Sequence, residues 1–162
     1  MKKTYMLSVI LIALAVSHSF SFSFEADTTA LKPKPVYGKE AKVMAYILDN
    51  NHYRRIHLND SLSSSILDAY LKELDNSKTY FLKSDIDSFE KYRISIDDYT
   101  RSEDVSPAYA ICNVFRKRYN ERMTYVLNTL INQDFDFTTK DYYDTDRDKE
   151  AWAVSVAELN DN

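Results

Sequence analysis

A chain of 162 residues with a single glycine, Gly38, has given up most of the backbone conformations from which nucleotide and substrate loops are built. Average usage would supply about a dozen. A dinucleotide fingerprint, a phosphate-cradling P-loop and a nucleophile elbow each need two or more glycines at fixed offsets, for positive φ or for close backbone approach. Tight hairpins draw on the same residue, so this sequence excludes most enzyme folds and points to helices. With 44% hydrophobic and 28% charged residues, the chain has the composition of an ordinary folded protein, and its length suits one compact domain.

Charge excludes a second class. The formal net charge is -4 and the isoelectric point is near 5.4, with no basic block of the kind that tracks a phosphate backbone, so no nucleic acid partner is expected. The densest basic spots, Arg54-Arg55 and Arg116-Lys117-Arg118, have acidic residues close by and read as solvated helix faces.

Residues 1–23 read as a secretory signal peptide. Lys2 and Lys3 precede the apolar run Met6 to Val16, which is too short to span a bilayer comfortably. Cleavage is expected after Ser21 or Ser23, an uncleaved anchor being the lesser reading, and loss of the two lysines takes the net charge from -4 to -6. Contact with a membrane is expected only through this segment. No cysteine lies near the end of the run to carry a lipid. Cys112 is the only cysteine, so no intrachain disulfide forms, and its apolar neighbours Ala110, Ile111 and Val114 predict a buried, inert thiol.

Residues 24–38, with Pro33 and Pro35, read as an extended leader, and residues 39–162 as a helical domain. Val43, Met44, Ile47 and Leu48 predict an amphipathic helix from Lys39 to about Asn50, with His52 at or past its end. Asp60 is expected to cap a second helix marked by Leu62, Ile66, Leu67, Tyr70, Leu71 and Leu74, which the cluster Asp75-Asn76-Ser77 ends. Ser84 and Asp87 form a capping-box pattern for a third helix through Phe89 and Tyr92. Ser106-Pro107 opens a long helix whose apolar stripe runs from Ala108 through Ile111, Phe115, Tyr119 and Met123 to Leu130. Asp134 to Phe137 reads as extended, Asp141 to Glu150 as an acidic loop, and Trp152 to Leu159 as a last helix. The fold class expected is all-α, a bundle of four to five helices.

Chemistry-bearing patterns are few. Ser88-Phe-Glu-Lys91 has the Ser-x-x-Lys spacing of penicillin-binding enzymes without their partner motifs or an oxyanion glycine, and reads as an exposed face. Asp144, Asp146 and Asp148 match the first positions of a calcium loop, but Lys149 replaces its glycine and Ser155 its glutamate; a solvated loop is the better reading, even with Asp141 nearby. His52 and His57 are five apart, not the four that share a helix face. The sequence therefore assigns no catalytic, cofactor-binding or metal-binding residue. Among the many aromatics, Tyr70, Phe89, Phe115 and Tyr119 are expected in the core, and Tyr109, Tyr125, Tyr142 and Tyr143 on a protein-contact surface.

The blocks Tyr70-Leu-Lys-Glu-Leu-Asp75, Tyr80-Phe-Leu82, Ser84-Asp-Ile86 and Phe89-Glu-Lys-Tyr-Arg93 resemble the N-terminal domain of the tail-specific, or carboxy-terminal processing, proteases. Pro107 to Ile111, Arg118 with Glu121-Arg122, Phe135-Asp-Phe137, Asp146-Arg147, Ala151-Trp-Ala153 and Glu158-Leu159 extend the resemblance, which covers about Lys39 to Leu159. It implies part of a Gram-negative periplasmic serine endopeptidase that recognises apolar C-termini through a PDZ domain and cuts with a serine nucleophile and a lysine base. It also implies as partners protein substrates, a lipoprotein adaptor of tetratricopeptide type, and the PDZ and protease domains of a longer chain. No position from Met1 to Asn162 matches the family's catalytic motifs, so the expected role is scaffolding and recognition, with a free-standing exported adaptor as the alternative.

Overall fold

A computed structural model describes residues 29–54, 56–136, 138, 140, 142 and 144–161. The expected signal peptide, the first part of the leader, Arg55, Phe137, Asp141 and Tyr143 lie outside them. The described residues form six α-helices and no strand: α1 (Pro35–Asn51), α2 (Asp60–Leu74), α3 (Lys83–Phe89), α4 (Ile96–Arg101), α5 (Ser106–Asn128) and α6 (Val156–Asp161). The all-α class holds, with one helix more than expected.

α1 starts at Pro35, inside the stretch read as extended leader, because a proline in the first helical turn loses no hydrogen bond and its fixed φ suits the helix. His52 is its C-terminal cap residue, as the sequence indicated. α2 is capped by Asn59, not Asp60: the Asn59 side chain accepts from Leu62 N–H at 3.0 Å, and Asp60 is already helical. α3 begins one residue before Ser84, so the expected Ser84–Asp87 box does not form. Asp85 instead reaches back to Leu82 N–H at 2.9 Å, and Asp87 pairs with Lys83. The third helix stops at Phe89 and passes through a 3₁₀ turn, Glu90–Tyr92, into α4, which the sequence reading missed. At α5, Ser106 is the first helical residue and makes no capping bond; Asp104 accepts its N–H at 2.7 Å.

The core joins Leu67 and Leu71 of α2, Phe81 of the linker, Ile86 and Phe89 of α3, and Ile111 of α5. Phe81 is its centre, fully buried and edge-on to Phe89 and Trp152. A second cluster, Leu82, Ala153 and Leu159, seats α6 against the start of α3, where Lys83 N–H donates to the Ala153 carbonyl at 2.8 Å. Trp152 and Ala153 therefore precede the last helix rather than open it.

Polar groups hold the loops. Buried Asp75 accepts from the N–H groups of Thr79, Tyr80 and Phe81 at 2.8, 2.9 and 2.9 Å, which fixes the linker that delivers Phe81 to the core. Lys78, at φ 53°, sends its ammonium to the Asp148 and Glu150 carbonyls at 2.8 and 2.6 Å and over the Trp152 ring. α1, α2 and α4 meet at a network in which Ser63 Oγ donates to Asp97 Oδ1 at 2.8 Å and Arg101 pairs with Asp97 and reaches the Leu58 carbonyl.

Candidate functional site

The sequence patterns that carry chemistry do not converge. Ser88 Oγ donates to the Asp85 carbonyl at 2.6 Å, while Lys91 Nζ lies 4.9 Å from the centre of the Tyr92 ring. The two groups are engaged elsewhere, so the spacing places no base on the serine. In the acidic loop, Asp144 accepts from Asp146 N–H, and Asp148 turns away to pair with Lys72 at 2.7 Å. His52 Nδ1 accepts from Arg54 N–H, whereas His57 Nδ1 faces Asp49 at 3.8 Å. Among the described residues no group of three or more His, Cys, Asp or Glu is placed to hold a metal ion. Cys112 is half-buried rather than buried, and it adjoins Tyr70, whose hydroxyl donates to the Ala108 carbonyl at 3.1 Å. Burial, with the neighbouring thiol adding to it, pushes the Tyr70 phenol up to about 12.

Surfaces distinguish this molecule. α1 packs against α4 through its small residues: Gly38 and Ala45 are buried and Ala41 is half-buried, while Val36, Val43, Met44 and Ile47 stand on the opposite face, 47%, 57%, 61% and 45% exposed. The apolar stripe expected to face the core thus faces outward. A helix can approach a neighbour closely only where its side chains are small, and the second amphipathic pattern, made of Gly and Ala, is the one α4 uses.

The long stripe of α5 divides in the same way. Pro107 and Ile111 are buried, Phe115 is packed on the core, and Tyr119 and Leu127 are exposed. Arg118, read as part of a solvated basic spot, is instead largely buried and clamps Asp85 through two bonds of 2.7 and 3.0 Å. The carboxylate keeps the guanidinium well above its ordinary range of proton affinity. Of the tyrosines expected on the surface, Tyr142 is almost fully exposed, but Tyr109 and Tyr125 are half-buried, the latter beneath the Arg122 guanidinium. Tyr119, expected inside, is outside. Beside it, Tyr80, Leu82, Arg122, Val156 and Leu159 line a groove that Arg122 closes through a 2.6 Å bond to Asn160. No helix among the described residues is long and apolar enough to cross a membrane.

Among the described residues, the fold and its surfaces define a helical module that presents apolar faces. The family model for the tail specific protease N-terminal domain matches residues 43–162, so the chain belongs to the tail-specific protease family, as its N-terminal domain. It is 39% identical over 114 residues to the tail-specific protease of Haemophilus influenzae, an alignment that covers 70% of this chain and 16% of that protein.

Proposed function

We propose that this chain is the scaffolding and recognition module of an exported, periplasmic serine protease that degrades or processes proteins from their C-termini. It contributes protein contacts, and the bond-breaking groups belong to other parts of the polypeptide. The observation that carries this reading is the outward face of α1, where Val36, Val43, Met44 and Ile47 are 47%, 57%, 61% and 45% exposed. A contiguous face of this kind marks a surface that another protein surface covers. The substrates are proteins with apolar C-terminal ends, and a lipoprotein adaptor is a second partner.

An immunoblot of a periplasmic extract with an antibody against residues 39–159 tests the proposal. The expected product is several times larger than 18.9 kDa. A single band slightly below that mass would assign the domain to a free-standing exported adaptor instead. Incubation of the purified chain with a polypeptide ending in apolar residues is expected to leave it intact, and cleavage lost in Ser88→Ala would overturn the non-catalytic role.

A further inference from the structure

Residues 29–34 form a strap ahead of α1 that is held on α5 through its main chain. Leu31 N–H donates to Asn113 Oδ1 at 2.8 Å, Asn113 Nδ2 donates back to the Leu31 carbonyl at 3.0 Å, and Arg116 Nη1 donates to the Thr29 carbonyl at 2.7 Å. A side-chain amide that accepts from and donates to one residue does what a neighbouring β-strand does, and it reads no side chain. The two contacted residues, 29 and 31, are spaced as on one edge of an extended chain.

The strap brings little else to the contact. Leu31 is 43% exposed and every residue from Thr29 to Lys34 is exposed, so these hydrogen bonds are backed by little buried apolar area. Nor does α1 depend on the strap, since that helix begins at Pro35 and buries Gly38 and Ala45. The strap therefore behaves as a ligand tethered beside its site, where effective concentration takes the place of affinity. The clamp that it fills would serve an extended main chain of any sequence. One turn further along α5, Phe115, Tyr119 and Asn120 line a concavity beside Arg116 to which no described strap residue contributes.

We propose that the face of α5 around Asn113 and Arg116 binds an extended, unfolded segment of another protein, and that residues 29–34 occupy this site in cis as a displaceable stand-in. With the recognition role proposed above as its basis, the site takes a protein already unfolded, held by its main chain, with an apolar side chain on Phe115 and Tyr119. Strap and segment exclude each other. The apparent affinity of the unaltered chain is thus reduced by the fraction of molecules in which the clamp stands open.

Leu31→Pro separates the two occupants, because it removes the N–H that Asn113 accepts and leaves the clamp untouched. With labelled, reduced and carboxymethylated lactalbumin as the unfolded probe, fluorescence anisotropy should show Leu31→Pro binding at least about tenfold more tightly than the unaltered chain. Adding Asn113→Ala should abolish that gain. In hydrogen exchange, the Leu31 amide of the unaltered chain should exchange at least about tenfold more slowly than in a free peptide of residues 29–34. That protection should persist in Leu31→Ala, vanish in Asn113→Ala and fall when the probe is added, while the helical circular dichroism of every variant matches the unaltered chain. A Leu31→Pro chain that binds no more tightly than the unaltered one would overturn the site, and one that dimerises in sedimentation would give the face to a second copy instead. Binding indifferent to Leu31→Pro and Asn113→Ala but lost in Val43→Glu would overturn the site and leave the recognition role to α1; absence of binding in every variant would count against both.

Discussion

Gly38 is confined to its position by distance and not by dihedral angle. Its φ is negative, yet a Cβ built on it would stand 1.8 Å from the Glu103 carbonyl oxygen and 2.7 Å from the Glu103 carbonyl carbon. The atoms in the way are backbone, just past α4, and Glu103 itself is held at φ 65° with its side chain on Lys42 at 2.9 Å. Neither neighbour yields by a simple change of rotamer. Alanine in place of glycine would favour the helix by about 1 kcal/mol, but overpacking of a closed contact costs about 1–3 kcal/mol, and contact with backbone places this case at the upper end. Gly38→Ala is therefore expected to lower stability by about 1–2 kcal/mol net, read as a lower urea midpoint at unchanged slope. An unchanged or raised midpoint would mean that α1 does not approach Glu103 this closely. Asp75 teaches the complementary lesson, since one buried carboxylate satisfies three consecutive backbone donors that no helix or strand could serve.

Among the elements, α1 separates what the sequence discloses from what it withholds. Its existence and its end at His52 were legible, because Val43, Met44, Ile47 and Leu48 recur at helical spacing, but its first turn at Pro35 was not. Its orientation was not. Periodicity locates an apolar stripe, but a second stripe of Gly38, Ala41 and Ala45 lies opposite, and only the proximity of α4 decides between them. α4 escaped notice for a related reason: six residues are fewer than two turns, too short for a period to emerge, and its Asp97 serves Ser63 rather than solvent. The unassembled Ser88–Lys91 spacing could be judged from sequence because its partner motifs were missing. Asn113 and Arg116 could not, since polar residues on the outer face of a helix carry no mark of the backbone that they hold. The orientation of α1 makes a direct prediction. Val43→Glu on the outward face should change stability by no more than about 0.5 kcal/mol, whereas Ala45→Leu should cost about 1–3 kcal/mol by overpacking the contact with α4. Chemical unfolding of the two variants measures both, and the reverse order would turn the helix around.

Across the whole molecule, ion pairs tie segments that the apolar core does not reach. Asp49 of α1 accepts from Leu58 N–H at 2.8 Å and faces Arg101 of α4; that backbone bond, then the Arg101 guanidinium, hold its carboxyl below the ordinary 3.8. Lys72 of α2 does the same for Asp148 in the acidic loop, and Lys42 of α1 holds Glu103 below its ordinary 4.5. Each carboxylate has a lower pKa folded than unfolded, so the unfolded chain binds more protons as the solution becomes acidic. The stability they contribute is fully present above the unfolded values of 3.8 and 4.5 and is lost as pH falls through the lower folded values. Thermal unfolding midpoints should therefore stay level through neutral pH and fall on entering this acidic window. In Asp49→Asn with Glu103→Gln and Asp148→Asn, the midpoint should be lower at neutral pH and converge on that of the unaltered chain in acid. High salt should narrow the neutral-pH difference, because Glu103 and Asp148 are exposed and screened, while the backbone bond to Asp49 is left in place. A difference between the two proteins that stayed constant from neutral to acidic pH would mean that these carboxylates are not what joins α1 and the acidic loop to the helices around the core.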